Sequence, residues 1–178
     1  MDPEKVKSLM EGAIKHVEFC IELYQLQLNE NRYFLHEHPW TASSWSLPCV
    51  RKLLEDNRVL LAKGNMCMQG MYINGPNGSK QLALKATGWM TNSEHILNEL
   101  AVVCSNNGSC SDHVHADLQN GRAASAAVYP DKLCYSILRG LRKQLHKDRV
   151  MFEGELGTVC EDVVATQFFQ DICSREGF

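Results

Sequence analysis

The residues with the clearest chemical potential end a short apolar segment, 33–38, where His36, Glu37 and His38 are followed by Pro39. A carboxylate such as Glu37 can accept hydrogen bonds from a heteroaromatic ring, and imidazoles change charge near neutral pH. In a strand, His36 and His38 point to one face and Glu37 to the other, so the three converge only if the chain bends at Pro39. The pattern predicts either a binding site centred on Glu37 or a strand end with solvated polar residues.

A second group of thiols and imidazoles lies in and beside the polar loop 105–121. Its members are Cys104, Cys110, His113 and His115. These side chains are typical zinc ligands, although the spacing Cys-x5-Cys-x2-His-x-His is not that of a standard zinc finger. We therefore predict a possible zinc site in which Cys67 or Cys134 could replace one ligand; the alternative is a polar loop with one buried cysteine.

A third group is basic and lies on the polar face of a helix predicted after Pro130. It comprises Arg139, Arg142, Lys143 and Lys147. Such a face could follow the phosphates of a nucleic acid, although a solvated helix face is the commoner meaning of a charge run. Trp40 is the tryptophan we expect to be exposed and able to stack on a base.

Composition narrows these alternatives. The chain has 178 residues, of which 44% are hydrophobic and 22% charged, as in ordinary globular proteins. With a formal net charge of -3, nucleic-acid binding would need a local basic face. No apolar run reaches the ~20 residues that span a bilayer. The polar N-terminus is unlike a signal peptide, so the eight cysteines favour reduced thiols and an intracellular protein, in the nucleus or cytoplasm.

The spacing of hydrophobic residues predicts the helices and strands that must position these three groups of side chains. A long amphipathic helix should begin at Asp2-Pro3 and end near Asn29. The patterns that follow predict helices over 46–57 and 93–104, a helix after Pro130 with apolar residues from Leu133 to Leu145, and a helix over about 161–174. They predict strands over 33–38, 59–62, 66–68, 71–73 and 82–90. This order predicts an α/β fold, a partial Rossmann-like layer with a mixed sheet and flanking helices. We expect one domain over 1–148 and a helical extension over 149–178 packed on it.

Several segments also resemble a known family. They include Phe19-Cys20-Ile21-Glu22-Leu23-Tyr24, Arg32-Tyr33-Phe34-Leu35-His36-Glu37-His38-Pro39, Ala42-Ser43-Ser44-Trp45, residues 85–92, His113-Val114-His115, Gly121-Arg122-Ala123-Ala124 and Tyr129-Pro130. Together these residues resemble a domain in polyproteins of copia-like retrotransposons from unicellular algae. In those polyproteins, the domain is similar to the second half of a degenerate DNA cytosine-5 methyltransferase.

The resemblance implies that Glu37 orients a flipped cytosine, with His38 standing where the family usually has Asn. It further implies a pocket lined by Lys85, Thr87 and Asn92, and His36, His38 and Trp40 are further candidate substrate-binding residues from their side-chain chemistry. S-adenosylmethionine and the nucleophilic cysteine would have to come from a complementing protein chain, because residues 1–32 form one helix and Cys49 follows the Glu37 motif and is expected to pack. The chain alone is therefore expected to be catalytically incomplete, with a nucleic-acid-binding or scaffolding role.

Two other classes of function compete with this hypothesis. One is a zinc-stabilised, non-enzymatic binding module. The other is a structural subunit of a larger assembly, whose sign would be an exposed apolar face on the first helix. The methyltransferase-like hypothesis requires the strand 33–38 to be central, parallel to the strand 59–62 and open at Glu37, whereas an edge strand in a self-contained antiparallel sheet would contradict it.

Overall fold

The computed structural model describes residues 2–74, 79–105, 113, 115–116 and 128–149, which form helices packed around two small sheets. The α/β class predicted from the sequence is confirmed. The helices are α1 (Pro3–Asn29), α2 (Pro48–Leu54), α3 (Glu94–Leu100) and α4 (Asp131–Lys147), and 3-10 turns lie at Ser43–Ser46 and Met66–Gln69. The strands are β1 (Leu35–Pro39), β2 (Leu60–Asn65), β3 (Tyr72–Asn74), β4 (Lys80–Ala83), β5 (Ala86–Thr91) and β6 (His115–Ala116).

The first sheet has the order β1-β5-β2, and both outer strands run antiparallel to β5. Glu37 on β1 and Ala62 on β2 both pair with Trp89 of β5. The second sheet has the order β3-β4-β6, with an antiparallel and a parallel pair, so it is mixed as predicted. Within the described part of the chain β1 is thus an edge strand, which differs from the central position that the methyltransferase-like hypothesis requires.

Two local expectations are corrected. The single strand predicted over 82–90 is divided between the sheets, because a tight turn in which Lys85 N donates to Ala83 O (2.9 Å) separates β4 from β5. The strand predicted over 66–68 is instead the turn Met66–Gln69, which ends where Gly70 adopts φ 77° and donates to Cys67 O. Only glycine adopts that left-handed conformation without strain. The helix predicted over 161–174 lies outside the described residues.

The four helices that the patterns predicted within the described residues are present, although α2 and α3 are shorter than expected. Ser93 caps α3 as predicted, since its hydroxyl accepts a hydrogen bond from Ile96 N at 3.2 Å. Asp2 caps α1 in the same way through Glu4 N. Only the C-terminal half of α1 packs on the protein, and no described helix is both long and apolar enough to cross a membrane.

Strand β5 separates two hydrophobic cores. Trp89 packs between α3, α4 and the second sheet, together with Met66, Met71, Ile73, Leu100 and Leu133. Met90, its neighbour, faces the opposite way and packs under α1 and α2, together with Ile21, Leu28, Phe34, Val50, Leu53 and Val59. The alternation of side chains along a strand explains why adjacent residues serve different cores.

Helices α3 and α4 approach each other closely at Gly140. A Cβ added there would lie 2.6 Å from Ile96 Cα, a distance that the backbone of α3 would have to relieve by moving. We expect Gly140→Ala to lower the free energy of unfolding by about 1–3 kcal/mol, the usual cost of overpacking. Urea denaturation would measure this loss.

Gly12 provides the matched control, because it is also helical but has nothing within 4 Å of its added Cβ. Gly12→Ala should be neutral or stabilising, by up to about 1 kcal/mol, through helix propensity alone. Equal effects of the two substitutions would contradict the close packing of α3 on α4.

Candidate metal centre

Two thiols and two imidazoles form a compact cluster that could hold a metal ion. The ligand atoms of Cys67, Cys104, His113 and His115 all lie within 4.8 Å of one another. Three of these residues belong to the predicted set. Cys67, named from the sequence only as a replacement, occupies the fourth place, and the predicted ligand Cys110 lies outside the described residues.

Cys67 is held in place by the buried side chain of Gln69 on the same 3-10 turn. The Gln69 amide donates to Glu99 O of α3 at 2.9 Å and accepts from Ser136 Oγ of α4 at 3.0 Å. These two hydrogen bonds hold the turn against both helices without any contribution from a metal ion. A buried amide with both ends satisfied fixes a unique arrangement, because breaking either bond would leave a polar group unpaired.

The other three ligands come from segments that the fold brings to this turn. Cys104 follows α3, and its backbone N–H donates to the buried Asn65 side chain at 2.9 Å. Asn65 also donates its own N–H to Val102 O at 3.0 Å, which aligns this segment with the end of β2. His115 belongs to β6, where it pairs in parallel with Leu82 of β4, and His113 lies two residues earlier.

The distances in the cluster are near those of a tetrahedral zinc site. Cys104 Sγ lies 3.6 Å from Nε2 of both His113 and His115. Ordinary zinc–sulfur and zinc–nitrogen bonds place such atoms about 3.6 Å apart in a tetrahedron. The two Nε2 atoms are 2.8 Å apart, so they would separate by about 0.5 Å to reach the tetrahedral spacing.

The protonation states of the cluster set the conditions for metal binding. Burial, together with the neighbouring Cys104 thiol, raises the pKa of Cys67 to about 11, so a metal would have to displace the proton of this thiol. Burial and the neighbouring His113 lower the pKa of His115, so its imidazole is held in the neutral form that metals bind. Two thiolates would balance the charge of a divalent cation, which limits the cost of placing that charge among partly buried groups.

A cleft of about 590 Å³ adjoins the cluster. Cys67, Cys104 and His113 form part of its wall, and the remainder includes Met68, Tyr72, Leu82, Pro130 and Lys132. Tyr72 is exposed, so the cleft combines apolar and aromatic surface with one lysine and one carboxylate, that of Asp131. Residues of the cluster therefore shape a surface that a ligand could reach.

Glu37 lies in a different cleft, of about 450 Å³, between α1, β1 and α4. Tyr129 donates a 2.7 Å hydrogen bond to Glu37 Oε2, and Lys85 Nζ lies 3.2 Å from Oε1. That lysine contact is outside hydrogen-bond geometry, so Oε1 is buried without a hydrogen bond from the described residues. Burial and the bond to Glu37 raise the pKa of Tyr129, which keeps its hydroxyl protonated as the donor.

His36 and His38 share the face opposite Glu37, as expected for a strand. Their ring centres are 5.5 Å apart, and both rings pack edge-on against Trp45. Tyr24 OH lies 3.0 Å from His36 Nδ1, and burial lowers the pKa of His36. The histidines thus belong to an aromatic group around Trp45, and both also line the cleft that contains Glu37. Trp40 is 38% exposed, as predicted.

Of the other residues predicted around Glu37, only Lys85 reaches it. Thr87 is buried, and its hydroxyl donates to Lys85 O at 3.3 Å. Asn92 accepts from Phe34 N at 3.0 Å and donates to Arg32 O at 2.9 Å, which fastens the start of β1 to the end of β5. These two side chains therefore serve the backbone of the first sheet. Tyr129, which is in contact with Glu37, was quoted only for the family resemblance.

The basic face of α4 is largely offset by carboxylates of α3. Arg139 and Lys143 both contact Glu99, each with a shortest distance of 2.7 Å. Lys147 contacts Glu94 at 3.0 Å, and Arg142 lies on the same helix. Because three of the four predicted phosphate-binding cations have a carboxylate within reach, this face offers less net positive charge than the sequence indicated. The ion pairs instead join α3 to α4.

The pairing of Glu99 predicts how stability depends on pH. Its hydrogen bond with Arg139, aided by Lys143, holds the pKa of Glu99 at about 2. The resulting stabilisation should be complete above the unfolded-state pKa of about 4.3 and lost as the pH falls towards 2. We expect Glu99→Gln to cost about 1 kcal/mol at pH 7, since both cations are more than half exposed.

Urea denaturation of wild type and Glu99→Gln between pH 7 and pH 3 would test this dependence, and the difference between them should shrink below about pH 4.3. Glu94→Gln is the control, because Glu94 also pairs with a lysine but is 61% exposed and should matter less. A difference that stays constant down to pH 3 would show that Glu99 acts through packing.

Comparison with family models, with curated proteins and with solved structures finds no match for this chain. The function proposed below is therefore based on the geometry of the chain's own residues.

Proposed function

We propose that this chain is a non-enzymatic binding module whose fold is stabilised by a structural zinc ion. Cys67, Cys104, His113 and His115 would supply the ligands. The observation that carries the proposal is their convergence within 4.8 Å from three separate segments of the chain. Chance clustering of surface acids is common, but the meeting of two thiols and two imidazoles is the chemistry of a zinc site.

The donor set favours zinc over the other common biological cations. Calcium and magnesium prefer oxygen ligands, and the cluster consists of sulfur and nitrogen donors. Zinc accepts two thiolates and two imidazoles in a tetrahedron without preference for one geometry from its d electrons. The resulting centre carries no net charge, which suits its partly buried position.

A structural role follows from the number of ligands. Four protein ligands fill a tetrahedral zinc site, whereas catalytic zinc sites keep one position for water or substrate. Glu37, the carboxylate in the other cleft, is engaged by Tyr129 and Lys85. The methyltransferase-like activity, with S-adenosylmethionine from a complementing chain, stays a separate prediction that the edge position of β1 does not favour.

The bound metal would join β6 to two segments that Gln69 and Asn65 already hold in place. Cys67 follows the first sheet, Cys104 follows α3, and His115 lies on β6, a two-residue strand at the edge of the second sheet. Zinc binding would fix that strand and the wall of the adjoining cleft, which we assign as the surface where the module binds its ligand. Reduced thiolates of this kind persist in an intracellular compartment.

The metal assignment is tested on the full chain purified with zinc and then dialysed. We expect one zinc per chain by elemental analysis. Chelation should lower the melting temperature, since metal-binding free energy contributes to folding. Cys67→Ser should lose most of the zinc. Cys110→Ser, which changes the ligand predicted from sequence, should retain it.

Cys134→Ser is the second control, because Cys134 is a partly buried thiol outside the cluster. Loss of zinc from Cys110→Ser or Cys134→Ser, with retention by Cys67→Ser, would contradict the ligand set. A zinc-free chain whose melting temperature does not respond to added zinc would contradict the proposal as a whole.

A further inference from the structure

The outer edge of β1 carries backbone groups that β5 does not pair. In an antiparallel pair, alternate residues direct both their N–H and their C=O to the neighbouring strand. Trp40, directly after β1, donates its N–H to Ala86 O at 3.1 Å, so the residues two and four positions earlier also face β5. The N–H and C=O groups of Leu35 and Glu37 therefore point away from β5.

The contacts of Pro39 agree with this assignment. Proline has no N–H, and within sheets it occurs where that group would point away from the neighbouring strand. The outward C=O of Pro39 accepts hydrogen bonds from Ala42 N at 3.0 Å and from Trp45 Nε1 at 2.8 Å. The edge is thus satisfied at Pro39, whereas none of the described residues hydrogen-bonds the outward backbone groups of Leu35 and Glu37.

This edge lies at the base of the cleft that contains Glu37. Residues 35–38 all line the cleft, although successive side chains of a strand point to opposite faces. A cleft that touches consecutive residues in this way faces the edge of the strand. Helix α1 forms one wall through Val17 and Cys20, and α4 forms the other through Ile137. The cleft is therefore a groove between two helices, and within the described chain it shares no lining residue with the cleft beside the metal cluster.

Backbone donors and acceptors at the base of such a groove fit an extended chain. Another strand can pair with them, whereas a helix satisfies its own backbone groups internally. A second copy of this chain does not fit, because its β1 edge also lies between two helices, which would keep the two edges apart. We propose that an extended peptide segment of another protein binds along β1 as a further antiparallel strand, hydrogen-bonded to Leu35 and Glu37.

The surroundings of the edge define the side chains of this peptide. The peptide residue opposite Glu37 projects on the same face as that carboxylate, whose Oε1 is buried without a hydrogen bond from the described residues. A neutral hydroxyl donor suits Oε1, because Lys85 Nζ at 3.2 Å already balances the charge. The next peptide residue projects towards Val17 and Tyr24, which suits a β-branched apolar side chain. The partner is thus a segment in which serine or threonine alternates with valine or isoleucine.

The probe for this site is the acetylated and amidated peptide Val-Thr-Val-Thr-Val, titrated into the full chain and followed by calorimetry. We expect saturable binding with a Kd below about 1 mM. An absence of binding at that concentration would overturn the proposal.

Two methylated forms of the probe test the strand pairing itself. Methylation of the backbone nitrogen at both threonines removes the N–H groups that face β1, so it should weaken binding at least about tenfold. Methylation at the second and third valines, whose N–H groups point away from β1, should change the Kd by less than about twofold. Equal losses, or the reverse order, would overturn the proposed pairing.

A matched pair of substitutions tests the groove. Cys20→Arg places a long side chain in the wall that α1 contributes, and we expect binding of the probe to weaken at least about tenfold. Phe19→Arg adds the same side chain at a position that is 55% exposed and outside the cleft, so it should have little effect. Equal binding by the two variants would place the peptide elsewhere and overturn the proposal.

Amide hydrogen exchange separates the other possible occupants of the groove. In the free chain the amides of Leu35 and Glu37 should exchange faster than those of the two neighbouring histidines, and the bound probe should slow them at least about tenfold. Protection of Leu35 and Glu37 in a free monomer would overturn the proposal in favour of another part of this chain. Protection that increases with protein concentration would overturn it in favour of a second copy.

Discussion

The described fold brings three segments that are distant in sequence to one point. There the ligand atoms of Cys67, Cys104, His113 and His115 lie within 4.8 Å of one another. The positions of these three segments constrain the elements that carry them. Gln69 fastens the turn that carries Cys67 to α3 and α4, and Asn65 fastens the segment of Cys104 to the end of β2. These hydrogen bonds hold in place the backbone segments that carry Cys67 and Cys104. A metal ion would join β6 to these segments through His115. This contact would matter because a two-residue strand forms few pairing interactions of its own.

Strand β5 plays the corresponding role for the apolar parts of the fold. Trp89 and Met90 point in opposite directions and each completes a separate core. The tryptophans can pack this closely on the strands only because the residues they lie against are glycines. A Cβ at Gly64 would meet Trp89 Nε1 at 2.7 Å, and one at Gly88 would meet Trp45 at 2.6 Å. Close packing of this kind leaves little freedom in the register of β2 and β5.

The local features of the fold could be predicted because short-range periodicity and capping determine them. The extent of α1, the cap at Ser93 and the opposite orientations of Glu37 and His36 all follow from neighbouring residues. The division of 82–90 between two sheets and the position of β1 at an edge depend on distant pairing, which periodicity does not report. The approach of Cys67 to the cluster has the same cause, because the turn at Gly70 brings this residue to Cys104 from almost forty residues away, while Cys110 lies outside the described residues.

X-ray absorption at the zinc edge of the full chain would identify the ligand set, because it counts the atoms bound to the metal. We expect four ligands, two sulfurs at about 2.3 Å and two imidazole nitrogens at about 2.0–2.1 Å. Substitution of Cys67 by serine should remove one sulfur from that shell. A shell made of six oxygen or nitrogen atoms, or one in which both sulfurs persist in Cys67→Ser, would contradict the account.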